Sequence, residues 1–438
     1  MKKRCIQIMI IIIVILLTFV SFSGCASQQS EGKNYLKMYV VNNGDNSVYK
    51  LINNYNSSTN KKIDLVEFEN NDLLNSKLSA ELMANSGPDL ILLNQDLPIE
   101  KLINQGFFCN INDLIEKDND KSVWENCKNT ILDAGIIDDK RYIIPVSYTP
   151  ELMITTQEIC EKYMISSDTT LEYRSVSQDL SYFISIAQKT KNMGVWFNAF
   201  PAFFDLIDNY VNFNDKTYDF SSKEFLSNFD EFNNVLLPFD KKIKRDKTTQ
   251  PVDRLLQGEI LFIYPEVLGD ISPISIGYIY HEITAQGQTP LLLKQISTNS
   301  SQMTAVVDKA LMINKNSKNK TQAYQFIKYM LSDKTQSKRE IGIPVNMNAM
   351  NYTINQMKNE KYDLSALLGI NYKSVGVDET FLNQYLELLN NIEFCNIQHD
   401  YYNNYIVRES FHKLLTGKLS KNQFLNELQS KTKIYLEE

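Results

Sequence analysis

Apolar positions along this chain alternate between short continuous runs and spacings of three and four residues, so strand and helix patterns follow one another. The clearest unit lies between Thr304 and Asn346. It opens with an apolar run, Ala305 to Ile313, of buried-strand length and broken only by Asp308-Lys309. A polar turn from Asn314 to Lys320 follows, with Asn319 or Thr321 placed to cap a helix. Ala323, Phe326, Ile327, Met330 and Leu331 then form one helical stripe, and Gly342, Pro344 and Asn346 make a turn that must end it.

Upstream, Tyr35 to Val41 reads as a strand, Ser47 to Tyr55 as a helix and Ile63 to Phe68 as a second strand. Leu74, Leu78 and Leu82 share a helical face that Gly87-Pro88 ends, before a short strand from Asp89 to Leu93. This alternation predicts βαβ units and a largely parallel sheet. A helix is expected around Trp124 to Leu132, with Trp124 in the core, then a strand from Lys140 to Pro145. Met153 to Thr155 reads as a strand and Gln157 to Tyr163 as a helix. Helices are expected at Leu180–Ala187, Ala202–Tyr210 and Lys223–Leu237, and a buried strand after Gln257-Gly258 that runs to Ile263. Residues 264–303 show little periodicity. Phe381–Phe394 and Tyr401–Leu415 read as amphipathic helices, and Gly417 and Ser420 separate the second from a last one carrying Phe424, Leu425, Leu428 and Tyr435.

The first 24 residues have another character. Lys2, Lys3 and Arg4 precede a nearly unbroken apolar stretch, Ile8 to Val20, the pattern of an export signal. Phe22-Ser23-Gly24-Cys25 then resembles a bacterial lipobox, although Phe22 stands where Leu is usual. That resemblance implies cleavage before Cys25, lipid on its sulfur, and a membrane anchor on the extracellular face of a Gram-positive-type cell. Ala26 to Asn34 reads as a polar tether.

At 438 residues the chain is long enough for two or three domains, and 43% hydrophobic residues supply sizeable cores. A net charge of -7 argues against a nucleic-acid partner; the densest basic cluster of the folded part, Lys241 to Lys247, lacks interleaved aromatics and reads as a solvated face. None of the six cysteines forms a C-x-x-C pair, so no structural zinc site is expected; Cys109, Cys127, Cys160 and Cys395 read as free thiols or as one or two disulfides. His281, His399 and His412 have no ligand spacing, and no G-x-S-x-G, H-E-x-x-H, Walker or G-x-G-x-x-G motif occurs. No enzyme, cofactor or metal is expected.

Five pieces in order carry a family resemblance: KLSAELMANSGPDLILLN, KRYIIP behind Asp138-Asp139, QGEILFI, the 304–346 unit with its A-x-x-F-I-K-Y-x-L-S and G-x-P-V-N, and LLTGKLS before FLNELQSK. Together they resemble bacterial extracellular solute-binding proteins of the maltose-binding-protein-like group, which serve ABC importers. The resemblance implies an α/β, two-lobed Venus-flytrap fold, each lobe a mixed sheet flanked by helices, with a helical C-terminal segment. The first lobe would comprise 35–147 and 305–347, the second 148–304 and 348–438. It implies a monomer that captures a small solute, above all a carbohydrate, and hands it to permease subunits.

A cleft of that kind needs polar groups for hydroxyls and aromatic faces for C–H surfaces, on loops at the carboxyl ends of strands. Such loops offer Asn43, Asp45, Asn94 and Asp96, although Asn and Asp are also ordinary turn residues. The crossover offers Tyr148, with hinge packing as the rival role, and the Gly194–Pro201 loop offers Trp196, with core packing as its rival. Tyr264 and Glu266 match a region where the family presents an aromatic to ligand, though many relatives have Trp there. Asn346 follows the Pro344 turn and faces the hinge in the resemblance, with capping as the alternative. A non-sugar solute (a peptide or polyamine) and a sensory or structural lipoprotein of the same fold are the other readings.

Overall fold

The alternating elements after Tyr35 assemble into a sheet whose far strands come from the other end of the chain. The computed structural model describes residues 35–42, 46–93, 96–165, 199–213, 215–236, 251–263, 273–294, 303–338, 342–359, 376–397 and 401–437. The signal segment 1–24, the tether 25–34 and the helix expected at Leu180–Ala187 lie outside these residues.

Strands β1 (Tyr35–Val41), β2 (Lys62–Phe68) and β3 (Leu90–Leu93) are joined by helices Asn46–Ser58 and Asn71–Met83. A short hairpin, β4 (Ile136–Ile137) and β5 (Lys140–Arg141), leads to β6 (Ile144–Pro150) and directly on to β7 (Leu152–Thr156). The hairpin β8 (Val211–Asn212) and β9 (Thr217–Tyr218) stands apart. The later strands are β10 (Pro290–Lys294), β11 (Met303–Ile313), β12 (Ile343–Pro344) and β13 (Ile392–Asn396). The main sheet has seven strands in the order β12-β6-β11-β3-β1-β2, with β13 also on β11. β1 and β3 are parallel, as the βαβ pattern requires, whereas β11 runs antiparallel to both β3 and β6. A smaller antiparallel pair, β7 and β10, is joined by a bridge from Ile154 to Ile263.

β11 is the strand that ties the chain together. Along its length it pairs with β6, β3 and β13, elements from three distant parts of the sequence. Helix Lys320–Leu331 returns along it, and Ala323, Phe326, Ile327, Met330 and Leu331 are all buried, as the stripe requires. Asn319 is its N-cap residue but makes no side-chain cap bond; its amide reaches Asp89 instead, 3.3 Å away.

Several elements differ from expectation, each through a tertiary partner. The helix expected at Trp124–Leu132 is two short helices, Ser122–Glu125 and Asn129–Asp133. Between them the backbone pairs with the returning chain: Lys128 N–H donates to Val345 O at 3.0 Å, and Met347 N–H to Asn126 O at 2.8 Å. The strand expected from Lys140 is split: Asp138 and Asp139 adopt left-handed backbone (φ 49° and 60°), the requirement of a tight two-residue hairpin turn that folds Lys140–Arg141 back onto β4, and Tyr142 and Ile143 then both donate their N–H to Gly135 O, at 3.1 and 3.3 Å, before β6 begins. The strand expected up to Ile263 reduces to isolated bridge positions at Ile260 and Ile263, the latter paired with Ile154, although Ile260 to Ile263 are buried. Phe394 belongs not to a helix but to β13, because helix Glu379–Asn390 stops and the chain pairs with β11. Residues Phe232–Leu236 and Tyr402–Val407 are π-helical, extending helix Lys223–Glu231 and preceding helix Arg408–Leu415.

Two hydrophobic cores result. The larger one surrounds the main sheet and extends to β7, β10 and helix Pro273–Ala285. The second is built mostly of aromatics from helices Ala199–Asp208, Lys223–Glu231, Arg408–Leu415 and Lys421–Glu437. Phe203 and Phe411 stack at its centre with ring centroids 3.8 Å apart. Cys109, Cys127, Cys160 and Cys395 are free thiols, and burial raises the pKa of each. Among the described residues no helix is long and apolar enough to cross a membrane, and no cluster of His, Cys, Asp and Glu is arranged to hold a metal.

Candidate functional site

The carboxyl ends of β1 and β3 point to the same rim of the sheet, since the two strands are parallel. Of the residues expected there, Asp96 is described; Asn43, Asp45 and Asn94 lie outside the described residues, as do Trp196, Tyr264 and Glu266. Asp96 is half-buried, and both its carboxylate oxygens are engaged. Asn71 Nδ2 donates to Oδ2 at 2.5 Å, and Asn404 Nδ2 donates to Oδ1 at 2.6 Å. Asn75 Nδ2 donates to the Asp96 carbonyl at 2.9 Å, so helix Asn71–Met83 holds the loop in place.

Asn404 comes from the other core. It sits on the π-helical turn Tyr402–Val407, whose widened winding turns Tyr402, Asn403 and Val407 inward. Tyr402 donates to or accepts from Thr432 at 2.5 Å, and Asn403 Nδ2 donates to Asp208 Oδ2 at 3.0 Å. Asn404 and Tyr405 are left facing the sheet rim. Tyr405 is 40% exposed and stacks on Tyr401, with ring centroids 4.7 Å apart. Burial, a hydrogen bond to Asp72 and the charge of Asp96 push its hydroxyl up to about 12. The rim therefore gathers two carboxylates, Asp72 and Asp96, three carboxamides and a pair of stacked tyrosines. Such a wall accepts hydrogen bonds from hydroxyls or ammonium groups and offers flat faces to C–H surfaces.

Beside this loop a cavity of about 1160 Å³ opens between the two cores. Ile99, Glu100 and helix Asn129–Asp133 wall one side, the β8–β9 hairpin the other, and β13 lines it as well. Its carboxylates are partly committed: Asp133 pairs with Arg141 at 2.7 Å, and Asp219 accepts from the backbone N–H groups of Ser221 and Ser222. Tyr210, Phe213, Tyr218 and Phe394 supply aromatic surface.

Tyr148 and Asn346 are not on that rim. Tyr148, on β6, is 2% exposed, and burial raises its hydroxyl pKa well above the ordinary value. Asn346 has no exposure, and its whole amide is spent internally. Its Oδ1 accepts from Ala349 N–H at 3.0 Å, capping helix Met347–Asn359, while Nδ2 donates to Leu331 O at 3.0 Å and to Asp333 Oδ1 at 2.7 Å. The geometry shows Tyr148 packed in the interior and Asn346 capping a helix. Sequence reading missed Asn71, Asp72, Asn404 and Tyr405. The run Tyr401-Tyr402-Asn403-Asn404-Tyr405 was legible as aromatic and polar, but its π-helical winding, which decides what faces the rim, was not.

The model of a bacterial extracellular solute-binding protein matches residues 50–345, more than half of the chain. This chain belongs to that family. Its members bind solutes and are not enzymes. A comparison with curated protein sequences finds no match. Solved structures confirm the two-lobed fold at low identity. An ABC substrate-binding protein of Listeria monocytogenes in complex with cycloalternan is 14% identical with a TM-score of 0.59, covering 92% of this chain and 98% of its own. The sugar-binding protein MalE of Xanthomonas citri is 11% identical with a TM-score of 0.61, covering 92% and 97%. The GacH receptor of Streptomyces glaucescens, solved unliganded and with acarbose, is 13% identical with a TM-score of 0.56, covering 93% and 99%.

Proposed function

We propose that this solute-binding protein captures a carbohydrate at the rim where Asp96 and Asp72 meet Asn404, Tyr401 and Tyr405. The observation that carries this reading is the wall itself: carboxylates and carboxamides beside stacked tyrosines, drawn from two different cores. The saccharide-bound relatives support it, one solved with cycloalternan and the other with acarbose. The lobes would be 35–147 with 305–347 and 148–304 with 348–438. Solute held between them makes contacts that only the closed arrangement offers, which shifts the equilibrium towards closure. Asn43, Asp45, Asn94, Trp196, Tyr264 and Glu266 remain candidates for the same cleft, and Tyr148 and Asn346 act behind it. The protein is anchored through lipid on Cys25 at the extracellular face, acts as a monomer, and delivers its solute to ABC permease subunits.

The test is a thermal-shift and calorimetric screen against maltose, maltotriose, cyclic glucans, peptides and polyamines. A ligand at ~100 times its Kd stabilises the native state by ~2.7 kcal/mol. A saccharide that binds, and that Asp96→Ala and Tyr405→Ala weaken at least tenfold, supports the reading. Binding confined to spermidine or to peptides overturns the carbohydrate assignment. A saccharide whose affinity both variants leave intact overturns the site.

A further inference from the structure

Beyond Glu100 a second, smaller pocket of about 150 Å³ lies between the two cores. Helix Ile99–Asn104 and Gln105 wall it on one side, and the β8–β9 turn and helix Lys421–Glu437 on the other. It shares Glu100 and Phe213 with the larger cavity. Tyr435 lines it from the last helix. This residue is 5% exposed, and its hydroxyl is buried with no hydrogen-bond partner among the described residues. Burial and the charge of Glu100 raise its pKa, so the hydroxyl stays protonated and can donate. The ring is held edge-on to Phe213, with centroids 6.4 Å apart, and stacks on Tyr401 at 6.2 Å, the same Tyr401 that stacks on Tyr405 at the rim. Lys101 Nζ sits 4.4 Å over the centre of the Tyr435 ring. Lys216 stands in the β8–β9 turn, where its backbone is left-handed (φ 54°), and Asn104 lines the pocket as well.

We propose that this pocket takes an oxyanion carried by the solute, so that the captured carbohydrate is an acidic one, a uronate or a sugar phosphate. This rests on the carbohydrate reading above. The chemistry follows from donors and charge. The lining offers two ammonium groups, two carboxamides and a phenol against one carboxylate. An oxyanion supplies the acceptor that the Tyr435 hydroxyl lacks, and Lys101 and Lys216 offset the cost of taking its charge out of water. An ammonium group would meet both lysines, and a neutral hydroxyl would make no use of their charge. The larger cavity has the opposite polarity: its charged lining residues among those described are Glu100, Asp133, Asp219 and Glu393. That cavity accepts hydrogen bonds from neutral hydroxyls and repels an acid group, which directs the acid end of the solute past Glu100 to Tyr435. The volume suffices, since a single water needs only about 15 Å³ of such space.

The experiment is calorimetry on the full chain in detergent micelles. It compares digalacturonate with its dimethyl ester, glucose 6-phosphate with glucose, and inorganic phosphate alone. An acidic sugar should bind at least about tenfold more tightly than its neutral counterpart, and added salt should narrow that gap. Tyr435→Phe and Lys216→Gln should each weaken the acid at least about threefold while leaving the neutral counterpart unchanged. Without solute, Tyr435→Phe should melt no lower than the parent, because the hydroxyl it removes has no partner to lose. A lower midpoint means that the hydroxyl acts in the fold, and overturns the proposal. Acid and neutral sugars bound equally, no binding of either acid, a charge preference that both variants leave intact, or phosphate binding to which the sugar adds nothing each overturns it as well. The two readings fail separately. Neutral sugars that depend on Asp96 and Tyr405 and gain nothing from an acid group leave carbohydrate capture standing and sink the oxyanion pocket. A preference for acid that Tyr435→Phe abolishes, in a protein indifferent to Asp96→Ala and Tyr405→Ala, keeps the pocket and sinks the rim.

Discussion

Replacing Asn346 by Ala tests whether this residue serves the fold and not the solute. Three side-chain hydrogen bonds disappear at a position with no solvent exposure. Losing the cap on Ala349 N–H costs about 1 kcal/mol. The carbonyl of Leu331 ends helix Lys320–Leu331 and has Asn346 Nδ2 as its donor at 3.0 Å; stranding it in the interior costs about 2 kcal/mol. The bond to Asp333 adds little, because that residue is exposed and water can replace the amide. The sum is about 3 kcal/mol. Urea unfolding followed by circular dichroism should show the midpoint falling by that amount with the slope m unchanged. Solute affinity per folded molecule should not change. Asn346→Asp keeps the cap acceptor but loses both donors and places a second carboxylate beside Asp333, so it should be no more stable than the Ala variant at neutral pH. A loss below about 1 kcal/mol in Asn346→Ala, or a tenfold loss of affinity without loss of stability, would refute the assignment.

Lys328 donates to Asp118 Oδ2 at 2.6 Å, and that ion pair, with help from the Asp120 backbone N–H and Tyr324, holds the Asp118 carboxyl below the usual carboxylate range. A depressed pKa in the folded state means the contribution is complete above about pH 4 and is lost as pH falls through the folded value. Lys328→Met should therefore be less stable at pH 7, and the gap to the parent should narrow in acid titrations below that point. Gly135→Ala should destabilise by about 3 kcal/mol or more, read as a thermal midpoint, because a Cβ there would stand 1.8 Å from the Ile143 carbonyl oxygen. Asp139→Gly should raise stability by about 0.5 kcal/mol in urea, since Asp139 already holds φ at 60° where Gly is unstrained.

Local chemistry alone determined much of this protein. The stripe from Ala323 to Leu331, the face of Leu74, Leu78 and Leu82, and the alternation from Tyr35 to Leu93 are each written in the spacing of apolar residues, because burying one face of a helix or strand needs no knowledge of the partner. The order of those units also carried the family and its two-lobed fold. What spacing cannot carry is partnership. Trp124–Leu132 reads as a helix until Val345 and Met347 claim the backbone between its halves. Phe394 reads as helical until β11 offers a strand edge. Asn346 reads equally as ligand or cap until Leu331, Asp333 and Ala349 use its whole amide. The rim shows the same division most sharply. Asp96 was legible because the end of a strand is a local feature. Asn404 was not, because its meeting with Asp96 depends on where a second core packs and on one π-helical turn, and both are decided by contacts between residues hundreds of positions apart.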